Sequence, residues 1–395
     1  MLSIEKIELL LLIAAVVAML ARRFRLPYSV GLVFAGIVLA LLPFAPNIQL
    51  TKALIFNAFL PPLIFEAAFY INWQELRKDL PVVLTLATVG VLLSAGITTI
   101  GMHYLAHWEW IASLLFGVLI AATDPVSVIA TFKEAGVHGR LRQLVEAESL
   151  FNDSTAAVAF GIAIAIATGG DISPMGIAQS LVVTIIGGLA CGTVVAGGVL
   201  LLAGRTEDHL VEITFTTIAA YGSFLLAEHL HVSGVLATLT AGLIVGNIGS
   251  LGAISDKGRE AVESFWEYVA FVANSLIFLL MGMLEAHQNF VSVLIPVIIA
   301  ILFVTLGRAI STYLCCAFFI RSPLRVKTKH QHILFWGGLR GALALALALG
   351  LPPELPYRNE IVTVSFAVVA FSIFIQGLTI TPLLRAMGEI SPSET

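Results

Sequence analysis

The 395-residue chain is 58% hydrophobic and only 12% charged, with a formal net charge of -4 and three cysteines. Water-soluble domains carry about 25% charged residues, so the composition excludes that class, and the weak acidic balance leaves no footprint for nucleic acid. Apolar runs of about 20 residues, long enough to cross a hydrocarbon core of about 30 Å, recur from end to end. The expected fold is therefore a single all-α polytopic membrane domain over 1–395.

Breaks at Gly, Pro and charge clusters predict about thirteen transmembrane helices. Their approximate limits are 4–21, 27–45, 51–70, 80–104, 111–132, 141–168, 174–203, 209–229, 232–248, 264–284, 290–320, 331–350 and 359–384. The first is read as a retained helix: the leading MLSIEKIE is net acidic and Arg22, Arg23 and Arg25 follow the run, the reverse of a secretory signal. Glu66 follows PPLIF near the inner end of span 3 and reads equally as a cation ligand or as a snorkelling interfacial acid. Trp73, Trp108 and Trp110 fall at span ends, where interfacial aromatics are expected.

Span 5 contains AATDPVSV, Ala121 to Val128. Pro125 lacks an N–H and pushes Asp124 out of the α region, so an interrupted helix is expected. Freed carbonyls together with Thr123 and Asp124 make a polar spot that a membrane tolerates only inside protein or along a cavity. A plain proline kink is the simpler alternative. The inner part of span 6 carries ESLFNDSTAAVAF, in which Glu148 and Asn152 share one helix face and Ser149 and Asp153 the next. Asp153 offers oxygens to a small hard cation, Ser149 a hydroxyl beside them, and Asn152 adds no titratable charge.

Arg308 sits in span 11, in LFVTLGRAIS, free to pair with Glu148. Span 12 carries WGGLRGALAL, where Gly337, Gly338 and Gly341 weaken the helix around Arg340. Cys191, Cys315 and Cys316 lie in apolar runs and read as small core or lipid-facing residues rather than a redox pair.

The inter-span charges orient the chain. With the N-terminus outside, most of the 21 basic residues fall on the inner side, including Arg140, Arg142, Arg321, Arg325, Lys327 and Arg385. Spans 5 and 12 are seven apart. Two inverted six-helix repeats are expected, at about 1–170 and 209–385, with 174–203 as linker helix and 386–395 as a short cytoplasmic tail. Interrupted helices at matching places in two halves point to a midplane binding site.

Six ionisable residues remain within the spans on this reading: Glu66, Asp124, Glu148, Asp153, Arg308 and Arg340. Each costs at least about 2.5–3.5 kcal/mol at a helix centre. Buried ion pairs that orient helices would explain some of them. Four acids against two bases leave surplus carboxylates, which suits a carrier of cations and protons.

TDPVSV, ESLFNDS and GGLRGA, in this order and in these spans, resemble the cation/proton antiporters of the NhaP type, relatives of the animal sodium/proton exchangers. The resemblance implies a homodimer with a dimerisation domain and a mobile core domain holding two crossed broken helices. It implies a Na⁺ site at Asp153, with Asp124, Ser149, Thr123 and Glu66 as ligands or neighbours. Asn152 takes the asparagine place of a motif that accompanies electroneutral exchange. Glu148 takes a structural ion-pair role with Arg308, and Arg340 stabilises the crossing. The short tail is a departure, and places any pH regulation within the membrane domain.

The expected activity is exchange of Na⁺ or Li⁺ for H⁺ by alternating access, the two competing for Asp153. The expected setting is a prokaryotic cell membrane, with lipid around the chain and no cofactor beyond the transported ions. A K⁺/H⁺ antiporter of the same fold is the alternative, and a passive cation channel a more distant one. An enzyme is not expected: no histidine stands at helical spacing to activate Ser149, and neither HExxH nor GxSxG occurs.

Overall fold

The computed structural model describes residues 4–24, 27–43, 50–124, 128–129, 132, 137, 139–169, 173–249 and 254–390. Among these there is helix and no strand. In chain order the helices are α1 (Ile4–Phe24), α2 (Tyr28–Ala40), α3 (Lys52–Tyr70), α4 (Trp73–Leu105) and α5 (Trp110–Leu119). Then come α6 (Arg140–Ala167), α7 (Pro174–Ala203), α8 (His209–His229), α9 (Gly234–Ile248) and α10 (Asp256–Glu285). The chain closes with α11 (Leu294–Ala317), α12 (Thr328–Trp336), α13 (Ala342–Leu349) and α14 (Arg358–Ala386).

Eight of these, α3, α4, α6, α7, α8, α10, α11 and α14, are long and apolar enough to cross a membrane. Three of the expected spans are shorter in the structure. α2, α5 and α9 are apolar but only 13, 10 and 15 residues long. α4 begins at Trp73, ahead of the expected residue 80, because its first turns are amphipathic: Leu76 and Asp79 are buried while Glu75, Arg77 and Lys78 face out. Single π turns interrupt α3 at Ile55–Phe59, α4 at Leu86–Gly90 and α14 at Ser372–Gln376.

The chain forms two compact units. The first comprises Met1–Lys52, Asp79–Ala156 and Ser275–Thr395. In it α4 packs along both α5 and α11. At the head of α6, Arg140 grips Asp79 through Nε (3.0 Å to both carboxylate oxygens) and Nη2 (2.7 Å). The same guanidinium donates to the carbonyls of Leu324 (2.7 Å) and Arg325 (2.9 Å). Trp108 departs from the expected interfacial place: it is buried, packed on Phe116 and Tyr357, whereas Trp73 and Trp110 are exposed.

The second unit comprises Ala53–Lys78 and Ala157–Asn274. Its core gathers on Trp266, which lies 4.7 Å from the ring of Phe65 and donates through Nε1 to Thr216 at 3.0 Å. Glu212 is fully buried and accepts from the N–H (2.8 Å) and hydroxyl (3.1 Å) of Ser255, just ahead of α10. Of the six ionisable residues expected within the spans, Glu148, Arg308 and Arg340 are buried and Glu66, Asp124 and Asp153 half-buried; Asp79, Glu212 and Glu285, outside that set, are buried as well. Asp79 and Glu212 lie near helix starts, where their partners are remote in sequence. The three cysteines are free thiols and buried.

Within the first unit, α2 meets the end of α10 with no side chain between them. A Cβ on Gly36 would strike the carbonyl of Leu279, and one on Gly282 the carbonyl of Val33. Small residues that let backbones touch are how membrane helices gain packing without a hydrophobic drive. Gly282→Val should therefore destabilise the fold by about 3 kcal/mol, because rigid backbone must give way. A lowered melting temperature in detergent checks this, with Val291→Ala, at an 85% exposed position, expected to leave it unchanged.

Candidate functional site

Two helix breaks and the middle of α6 form one buried polar cluster in the first unit. α5 stops at Leu119, and Ala122, Thr123 and Asp124 continue without helix. Pro125, the expected cause of that break, lies outside the described residues. α12 stops at Trp336, and after five intervening residues α13 begins at Ala342. The two breaks are joined through backbone: Asp124 N–H donates to the carbonyl of Leu339 at 2.7 Å. Gly341 is needed at the crossing, since a Cβ there would run into the Asp124 carboxyl group.

Arg340 serves both breaks. Its guanidinium donates through Nη1 to the carbonyls of Ala121 (3.0 Å) and Ala122 (3.2 Å), acceptors that the end of α5 leaves without a helical donor. Its own N–H donates to Ser372 Oγ on α14 at 2.8 Å, and Ser372 Oγ donates to Gln376 Oε1 at 2.7 Å. Sequence reasoning did not single out Ser372 and Gln376. The signal was present: an i, i+4 polar pair in an apolar run, the spacing that marked Ser149 and Asp153.

α6 meets the first break through side chains. Thr123 N–H donates to Asn152 Oδ1 at 3.0 Å, and Asn152 Nδ2 donates to Thr123 Oγ1. Thr123 and Ser149 hydroxyls lie 3.0 Å apart, and Ser149 Oγ also donates to the Thr123 carbonyl. Asn152 further donates to Glu148 Oε1 at 3.1 Å. Thr123, Ser149 and Asn152 are all buried and satisfy one another.

Glu148 receives a two-pronged grip from Arg308, Nη1 to Oε1 at 2.7 Å and Nη2 to Oε2 at 3.0 Å. Arg308 Nη2 also donates to the carbonyl of Leu334 in the last turn of α12, at 2.9 Å. The side chains are 8% and 2% exposed, so the pair has almost no water to share its charge.

Asp153 is different. Its Oδ1 is buried and has no hydrogen-bond partner among the described residues. Its charged neighbours are two carboxyl groups, Asp124 and Glu148, against one cation, Arg340. Of the residues expected at the site, Thr123, Asp124, Glu148, Ser149, Asn152, Asp153, Arg308 and Arg340 therefore lie in one cluster. Glu66 belongs to the second unit, half-buried on α3.

The family model described as sodium/hydrogen exchanger, transmembrane, matches residues 10–386. The chain is 38% identical over 370 residues to the Na(+)/H(+) antiporter ApNhaP of Aphanothece halophytica, covering 93% of this chain and 70% of that protein. It is 33% identical over 398 residues to the Na(+)/H(+) antiporter NhaH of Halobacillus dabanensis, covering 98% of each. Its fold is that of the sodium proton antiporter MjNhaP1 from Methanocaldococcus jannaschii at pH 8, with a TM-score of 0.78 at 20% identity over 98% of each chain.

The buried pair gives a prediction of its own. Glu148→Gln leaves the Arg308 charge buried without its counter-charge, and should cost about 3–5 kcal/mol of stability. Thermal unfolding in detergent measures the loss, and the double variant Glu148→Gln/Arg308→Met should recover most of it.

Proposed function

Because the chain belongs to the transmembrane sodium/hydrogen exchanger family, a family of multi-pass transporters, we propose that it exchanges Na⁺ or Li⁺ for H⁺ at Asp153. The observation that carries this reading is the Asp153 oxygen, buried and without a donor among the described residues, beside a cluster whose other members are bonded to each other. A carboxylate in that position is held either by a proton or by a cation, and the two compete for the same oxygens.

The neighbours set the stoichiometry. Glu148 is paired with Arg308 and Asn152 cannot ionise, so the adjacent Asn152–Asp153 pair brings one titratable charge to each cycle, with Asp124 held at the first break as its neighbour. One proton against one monovalent cation makes the exchange electroneutral. Alternating access then presents Asp153 to either side in turn, with Ser149, Thr123 and Asp124 contributing oxygens from α6 and the first break. A homodimer in a prokaryotic cell membrane, N-terminus outside and C-terminus inside, completes the reading; the basic residues of the inner loops support the orientation.

Proteoliposomes holding the full chain test this. Na⁺ and Li⁺ should each drive proton efflux and collapse an acid-inside gradient; a response to K⁺ alone would make the chain a K⁺/H⁺ antiporter instead. The apparent KM for Na⁺ should rise about tenfold for each pH unit of acidification once the proton saturates the site. Asp153→Ala should abolish exchange while the protein stays folded and dimeric, and substantial residual exchange refutes the assignment. Asn152→Asp should make transport respond to an imposed membrane potential, to which the unaltered protein should be indifferent. Cation flux without coupled proton movement would instead indicate a channel.

A further inference from the structure

Behind the crossing, in the first unit, a cavity of about 10 Å³ is lined by Thr305, Arg308, Gly338, Arg340, Ser372 and Gln376 with apolar side chains around them. A single water needs about that much space and two to four polar partners. Arg308 lines it with one group unsatisfied: its Nε, which lies against Gly338 of the same lining, is buried and has no hydrogen-bond partner among the described residues, although Nη1 and Nη2 are both used. An arginine so buried with one donor unmade carries a desolvation penalty that a bridging water removes. Gln376 accepts from Ser372 and keeps further amide capacity, and Thr305 brings a hydroxyl. Ser372 and Gln376 begin and end the π turn of α14, a helix form found mostly as single turns and often at functional sites.

We infer that this cavity is a built site for one water, bridging Arg308 Nε to the π turn of α14, and that Ser372 and Gln376 are positioning residues for the ion site. The route is continuous. Ser372 fixes the Arg340 N–H, Arg340 holds the carbonyls of Ala121 and Ala122, and the next residue, Thr123, is bonded to Asn152 on the helix that carries Asp153. The water ties the same turn to Arg308, and so to Glu148, one residue ahead of Ser149. The two arginines of the cluster thereby share one support, and a polar pair deep in α14 has a purpose that packing alone does not give it.

The positioning role rests on exchange at Asp153; the water site does not. A structure of the full chain in lipid nanodiscs, at a resolution that shows buried waters elsewhere, should show one water within hydrogen-bond distance of Arg308 Nε. An empty cavity at that resolution overturns the site. In proteoliposomes, Ser372→Ala should raise the apparent KM for Na⁺ about tenfold while the maximal rate stays within about twofold, and Ser372→Thr should restore the KM. If Ser372→Ala does not fold, Gln376→Leu, of similar volume, carries the same expectation. An unchanged KM, or loss of rate alone, overturns the positioning role. Persisting exchange in Asp153→Ala would refute the ion-site reading and leave the water result standing.

Discussion

Hydrocarbon offers no hydrogen bonds, and the molecule is organised around that fact. A helix may stop inside a membrane only if the carbonyls and N–H groups it releases find partners in protein. Here each break supplies the other. Asp124 N–H meets the Leu339 carbonyl, Arg340 covers Ala121 and Ala122, and a serine from α14 covers the N–H of Arg340. Everything polar nearby, including the hydrogen-bonded face of α6, is admitted to the interior by this exchange of backbone partners.

Charge is then divided by the geometry of side chains. Arg308 uses its planar fork on Glu148, a carboxylate whose two oxygens match it, and becomes a fixed neutral unit. Arg340 instead spends its guanidinium on neutral carbonyls, and so keeps its positive charge in the field of Asp153. Two arginines and three carboxyl groups thus do not simply cancel. One pair is locked, and the remaining charges are left to face one another.

The breaks were legible because their causes are rare in apolar runs: Asp-Pro in span 5, and three glycines around an arginine in span 12. The faces of α6 were legible because helical spacing alone brings Glu148 beside Asn152 and Ser149 beside Asp153. The helix lengths were not, since an amphipathic start such as Trp73–Asp79 reads as a loop until Leu76 and Asp79 are seen to be buried. The partners of Arg340 were hidden for a deeper reason. They are main-chain carbonyls, which every residue owns, and only the fold says which ones lack a donor. Ser372 and Gln376 escaped notice because neither carries a charge to be explained.

The clamp at the head of α6 has a mechanical meaning. Arg140 is the first residue of that helix, and its guanidinium is bonded at once to Asp79 near the start of α4 and to two carbonyls ahead of α12. A helix held so at its end resists sliding along its axis, because one turn of slip would break every one of those bonds together. Whatever displacement Asp153 undergoes must be shared by α4 and by the chain leading into α12. Asp153 is therefore carried on a rigid raft, and the lever arm of any motion it makes is that group of helices rather than a single one.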